Sequence, residues 1–163
     1  MTDVFEFAMQ MEKDGEAYYR ELADKAGHPG LQRILTMLAD EEVKHYNTFK
    51  RLKEGKPGDF SDSTIFQDAK NVFEEIRESG QKVFDFEAEA KEHYEKAKEL
   101  EKKSEDLYRE KANETDDAET KKLLNLIADE ERRHYILFDN MQELVLRPER
   151  WLENAEWRHM DEY

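Results

Sequence analysis

The chain has 163 residues, 41% of them charged and 37% hydrophobic, with a formal net charge of −15, six glycines, three prolines and no cysteine. Such an acidic balance repels nucleic-acid phosphates and anionic lipid, while the lack of cysteine excludes disulfides, thiolate metal sites, thiol nucleophiles and iron-sulfur clusters. The N-terminus carries no basic stretch followed by an apolar run, and no segment is apolar for the roughly 18 residues that a membrane helix requires, so a cytoplasmic chain without a membrane partner is expected.

In chain order, residues 2–26 hold a single glycine and no proline, then meet Gly27-His28-Pro29-Gly30, a strong helix stop. A second helix is predicted over 31–54, ending at Gly55-Lys56-Pro57-Gly58. The stretch 59–80 starts with capping residues Ser61, Asp62 and Ser63 and has a helical pattern in Ile65, Phe66, Val72, Phe73 and Ile76. Third and fourth long helices follow over 83–113 and 118–146, separated by the polar turn Glu114-Thr115-Asp116-Asp117. Residues 148–163, with Trp151, Leu152, Trp157 and Met160, suit a short terminal helix packed on the bundle or on another subunit.

Short turns make two antiparallel hairpins, residues 2–54 and 83–146, joined by a long crossover at 55–82 and followed by a tail at 147–163. One all-α domain is expected, a four-helix bundle of the ferritin-like type, because a single long crossover distinguishes that topology from the up-down-up-down bundle.

The two hairpins repeat. Glu16, Glu42 and His45 recur 89 residues later as Glu105, Glu131 and His134. Between 39–49 and 128–138, seven of eleven positions are identical, and Glu12, Lys13, Tyr19, Arg20 and Glu21 also recur in register. A duplicated helical hairpin explains this pattern.

Glu-x-x-His alone is a weak signal here, since three of the five histidines have Glu three residues before them. Its placement on an apolar stripe is more telling. The second helix presents Leu31, Ile34, Leu35, Leu38, Glu42, His45, Phe49 and Leu52 on one face; the fourth presents Leu123, Leu124, Ile127, Glu131, His134, Phe138 and Met141. On the first helix Met9, Glu12, Glu16, Tyr19 and Ala23 share a face, as do Ala97, Glu101, Glu105, Tyr108 and Ala112 on the third.

Four carboxylates in one core cost several kcal/mol each unless protonated, paired or neutralised by metal. The stripes offer no Lys or Arg at that level. Glu16, Glu42, His45, Glu105, Glu131 and His134 are therefore the candidate ligands of a two-metal site whose oxygen and imidazole donors suit iron, with manganese, zinc or cobalt as substitutes. Tyr19 and Tyr108 are candidate groups beside it, within reach of a carboxylate; Glu12 and Glu101 suit groups behind the ligands or an iron entry path, or else a solvated edge of the stripe. Asp40 and Asp129 are assigned no direct role, and His28, His93 and His159 are expected on the surface.

On these motifs residues 2–146 resemble the rubrerythrins and other ferritin-like di-iron carboxylate proteins. The resemblance implies a di-iron centre with Glu16 and Glu105 as terminal ligands, Glu42 and Glu131 as bridging ligands, and His45 and His134 as one nitrogen ligand per iron. It also implies peroxide reduction and a homodimer. Two departures stand out: the extra glutamate that rubrerythrins commonly carry three residues after the third-helix ligand falls on Tyr108, and the four-cysteine rubredoxin module is missing. An external electron-donor protein is then required. Three functions are compatible with the sequence: reduction of peroxide or dioxygen, oxidation of Fe(II) as an iron-handling protein, and a non-enzymatic, metal-stabilised interaction module.

Overall fold

A computed structural model describes residues 2–58, 60–78, 89–153 and 160. Among the described residues there are six helices and no strand: α1 (Thr2–Lys25), α2 (Pro29–Lys53), α3 (Ile65–Glu78), α4 (Glu89–Glu114), α5 (Ala118–Leu146) and α6 (Pro148–Glu153). The expected start of the third long helix at residue 83, together with Trp157 and His159, lies outside the described residues.

Local chemistry sets the ends. Pro29 occupies the first turn of α2, where its missing N–H costs nothing, and the His28 imidazole accepts a hydrogen bond from the Gly30 N–H at 2.9 Å. Gly55, at φ 73°, takes the left-handed conformation that ends α2. The Ser63 hydroxyl accepts from the Ile65 N–H at 3.1 Å to start α3, and the Asp117 carboxylate accepts from the Thr120 N–H at 3.1 Å to start α5.

α1 packs on α2 and α4 on α5 as the two expected hairpins, which meet across α2 and α5 and across α1 and α4. α3 lies against α2 and α5 through Ile65, Ala69, Val72, Phe73 and Ile76, all buried on one face. The terminal segment packs on its own chain: the Trp151 ring meets the Phe73 ring edge-on at 5.3 Å, and Met160 is buried in the same apolar cluster.

Two apolar clusters fill the bundle. One contains Tyr19, Leu35, Leu38 and Phe138; the other contains Ala8, Phe49, Tyr108 and Ile127. The duplication is visible in them, because Tyr19 packs on Phe138 with centroids 4.9 Å apart and the repeat-related Tyr108 packs on Phe49 at 5.0 Å. Each fully buried side chain of this size contributes about 1.5–3 kcal/mol. Between the two clusters lies a layer of buried carboxylates and imidazoles.

Candidate metal centre

That layer is built from glutamates and histidines at one level of the four long helices. α1 contributes Glu12, α4 contributes Glu101, α2 contributes Glu42 and His45, and α5 contributes Glu131 and His134; none is more than 3% exposed. They form two overlapping groups, Glu12 with Glu42, His45 and Glu131, and Glu101 with Glu42, Glu131 and His134. In each group one oxygen or nitrogen from every residue lies within 4.8 Å of the others, and Glu42 and Glu131 belong to both. The two imidazole rings face each other nearly in parallel, with centroids 5.7 Å apart and planes inclined by 15°.

The groups obey the 89-residue repeat, and the contacts between them cross it. Tyr19 of the first hairpin donates its hydroxyl to Glu101 of the second at 2.6 Å, and Tyr108 donates to Glu12 at 2.7 Å. His45 Nδ1 stands 2.8 Å from Glu131 Oε1 on the facing helix and 3.5 Å from Glu12 Oε2, while His134 Nδ1 stands 3.4 Å from both Glu42 and Glu101.

The electrostatics are those of anions forced together out of water. Burial, followed by the charges of the neighbouring carboxylates, pushes Glu42 and Glu131 well above the usual carboxylate range. Burial would raise Glu12 too, but hydrogen bonding from Glu42 and the charge of His45 outweigh it and leave Glu12 low. Burial pulls both histidines down and is overcome by the carboxylates around them, Glu12 foremost for His45 and Glu101 for His134, the latter being pushed up to about 10. Burial and the adjacent Glu101 or Glu12 raise Tyr19 and Tyr108 well above a normal phenol.

A metal fits this set. Glu12 Oε2, Glu42 Oε1, Glu101 Oε2, Glu131 Oε1 and the Nδ1 atoms of both histidines are buried and, among the described residues, have no hydrogen-bond partner outside the cluster itself. Such atoms are rare in folded proteins because each forfeits its hydration, and divalent cations satisfy oxygen and imidazole donors together.

A family model for rubrerythrin matches residues 3–142. The chain belongs to the rubrerythrin family. No match arises among curated proteins or among solved structures.

Of the six ligands expected from the sequence, the structure brings together Glu42, His45, Glu131 and His134 but not Glu16 or Glu105. Glu16 lies one turn off the buried line, where its carboxylate accepts from Arg20 Nε at 2.7 Å; Arg20 in turn reaches Asp40 at 3.0 Å. Glu105 does the same with Arg109 at 3.0 Å, and Arg109 reaches Asp129 at 2.9 Å. An arginine four residues on holds each glutamate off the buried line, and Glu12 and Glu101, expected behind the ligands, on an entry path or at the edge of the stripe, take the inner places. The position three residues beyond the α4 carboxylate is consequently Ser104, not Tyr108. His28 caps α2 and His93 sits beside the Tyr18 hydroxyl at 3.5 Å.

Two further carboxylates were missed. Glu130 Oε1 meets His45 Nε2 at 2.8 Å, and its repeat partner Glu41 lies 3.8 Å from His134 Nε2. Each histidine thus has a carboxylate behind it that can fix its ring and tautomer, the arrangement usual for metal-bound imidazole. Glu41 also accepts from the Ser63 hydroxyl, whereas Glu130 is the more deeply buried and has Lys44 Nζ at 4.0 Å. Burial would raise Glu41, but His134 and then Ser63 bring it down to about 2. The signal was available: both glutamates immediately precede Glu42 and Glu131 in the repeated run Ala-Asp-Glu-Glu.

Proposed function

We propose that this chain is a di-iron oxidoreductase that reduces hydrogen peroxide, with dioxygen as the weaker oxidant, using electrons from a separate donor protein. The observation that carries the reading is the pair of repeat-related donor sets, each with its own glutamate and histidine and both sharing Glu42 and Glu131. Four carboxylates balance two divalent ions in charge, and oxygen and imidazole ligands without thiolate suit iron.

A bound iron pair supplies Lewis acidity and two electrons, one from each Fe(II), for the reaction H2O2 + 2 H+ + 2 e− → 2 H2O. The protein's own groups orient and insulate. Glu130 holds His45 through Nε2 and leaves Nδ1 facing the carboxylates; Glu41 lies behind His134 in the same sense. Tyr19 and Tyr108 keep their protons on the phenolic oxygens across the neutral range and donate them to Glu101 and Glu12, so they act as fixed hydrogen-bond donors rather than bases. The apolar clusters on either side limit water and strengthen every charge interaction between them. With no cysteine in the chain, re-reduction falls to a partner carrying its own redox group.

The test is rapid mixing of anaerobically reduced, iron-loaded protein with hydrogen peroxide and, separately, with dioxygen. Peroxide should oxidise two Fe(II) per chain at the faster rate. No reaction with peroxide removes the proposal, and continued consumption of many Fe(II) per chain with dioxygen would favour iron handling instead.

A further inference from the structure

The candidate centre is not equally enclosed on its two sides. Toward α2 and α5 the imidazoles lie fully buried, backed by Glu130 and Glu41, with Lys44 Nζ near Glu130 and the Ser63 hydroxyl on Glu41. Toward α1 and α4 a cleft of about 240 Å³ runs inward. Exposed Gln10, Asp14 and Lys103 stand at its mouth, and the buried carboxylates Glu42 and Glu131 line its inner end. Glu131 Oε1 faces His45 Nδ1 at 2.8 Å and Glu42 Oε1 faces His134 Nδ1 at 3.4 Å.

Between mouth and floor stand Gly15 and Ser104, repeat partners 89 residues apart, one from each hairpin. Gly15 lies within a 24-residue helix and is not among the glycines with positive φ, so its backbone does not require glycine. In a helix interior glycine costs about 0.5–1 kcal/mol relative to alanine. Space accounts for it, because a Cβ on Gly15 would fall 2.9 Å from Glu42 Oε2 and 3.4 Å from Glu42 Cδ. Any side chain larger than hydrogen here would press on the carboxylate and narrow the cleft.

We infer that Gly15 and Ser104 form the size-limiting aperture through which small polar molecules, of the bulk of hydrogen peroxide or azide, reach the Glu42 and Glu131 edge of the centre. The choice of substrate rests on the peroxide reading above; the aperture itself is a statement about access and is testable without turnover. Gly15 keeps one wall open and leaves Glu42 room to shift, and Ser104 sets the opposite wall. A hydroperoxide carrying a bulky organic group should be excluded.

The experiment compares wild type with Ser104→Leu and Ser104→Ala, each loaded with iron and assayed for metal content. In the oxidised protein, azide binding is followed by absorption; in the reduced protein, oxidation by hydrogen peroxide and by cumene hydroperoxide is followed by rapid mixing. Ser104→Leu should keep the full metal content and slow both azide binding and peroxide oxidation at least tenfold. Ser104→Ala should narrow the preference for hydrogen peroxide over cumene hydroperoxide. Because the chain has no cysteine, Ser104→Cys gives a second route that does not depend on folding around a larger side chain. Methylthiolation of the folded, loaded protein should slow azide binding, and thiol reductant should restore it. Unchanged azide kinetics in Ser104→Leu at full metal content, or in the methylthiolated protein, overturns the aperture. Slowed azide binding in a protein inert to peroxide would keep the aperture and remove the peroxide reading.

Discussion

Moving one negative charge by a single helical turn separates the inner glutamates from the outer ones. Glu12 and Glu101 are 1% exposed and lie in the donor groups, while Glu16 and Glu105, the latter 8% exposed, are tied to Arg20 and Arg109 on their own helices. Each pair should therefore respond differently to replacement by glutamine, which keeps size and removes charge. For Glu12→Gln the lost partner is a full charge within 4.8 Å of the other donors in its group. At an effective dielectric constant near 20, unit charges about 4 Å apart interact by about 4 kcal/mol. Since each 1.4 kcal/mol is tenfold, one ion should bind about 10³-fold more weakly. For Glu16→Gln the loss is a partly exposed pair worth about 0–1 kcal/mol, too little to empty a site.

Elemental analysis after dialysis against limiting iron provides the assay, with circular dichroism of the metal-free variants as the control for folding. Wild type, Glu16→Gln and Glu105→Gln should retain two ions per chain; Glu12→Gln and Glu101→Gln should each retain about one. Full occupancy in both inner variants together with loss in both outer ones would refute the placement of the centre.

Removing metal should lower the melting temperature. Ligand at about 100 times its dissociation constant stabilises by about 2.7 kcal/mol per site, which at 2–4 °C per kcal/mol makes about 10–20 °C for two sites; equal melting with and without chelator would deny the linkage. The metal-free protein should lose stability as pH rises. Glu42 and Glu131 keep protons that the unfolded chain releases near its ordinary carboxylate range, and His134 keeps one up to about 10 where the unfolded imidazole titrates near 6.5, so the native state binds more protons throughout that window. Denaturant titrations from pH 6 to 10 check the sign, and a rise in stability would contradict it. Glu130→Gln should weaken metal affinity about 10–100-fold by freeing the His45 ring, measured by competition with a chromophoric chelator; affinity within twofold of wild type would count against that role. Trp151→Ala should cost about 3 kcal/mol in urea unfolding because it removes the ring packed on Phe73, whereas a loss under 1 kcal/mol would mean that the tail adds little to the core.

The fold was legible because its punctuation is covalent chemistry. Glycine and proline at residues 27–30 and 55–58 stop two helices whatever surrounds them, and α5 spans the same residues that its periodicity predicts. The constant 89-residue offset paired the hairpins before any packing was known. What the tail packs on was not legible, since Trp151 in a short acidic segment suits a neighbouring subunit as well as α3. Only the placement of Phe73 in the crossover decides it.

Within the centre, hydropathy narrowed the ligands to an arc but could not choose within it. An apolar stripe is about 100° wide, and both Glu12 and Glu16 fall inside the one drawn through Met9, Tyr19 and Ala23. Glutamate scores as solvent-seeking at either position, so the charge that must be buried looks identical to the charge that need not be. The distinction lies in the neighbours. Along the buried line α1 reads Ala8, Glu12, Gly15, Tyr19 and α4 reads Ala97, Glu101, Ser104, Tyr108, so a small residue stands on each side of the inner glutamate and a tyrosine one turn further on supplies its hydrogen bond to the opposite hairpin. Glu16 and Glu105 instead have arginine four residues ahead, the spacing of a surface helix pair. Volume and partner chemistry, rather than hydrophobic periodicity, mark which carboxylate a helix turns inward: room must be left for the group it will bind, and no arginine stands one turn further along the same helix to draw it to the edge.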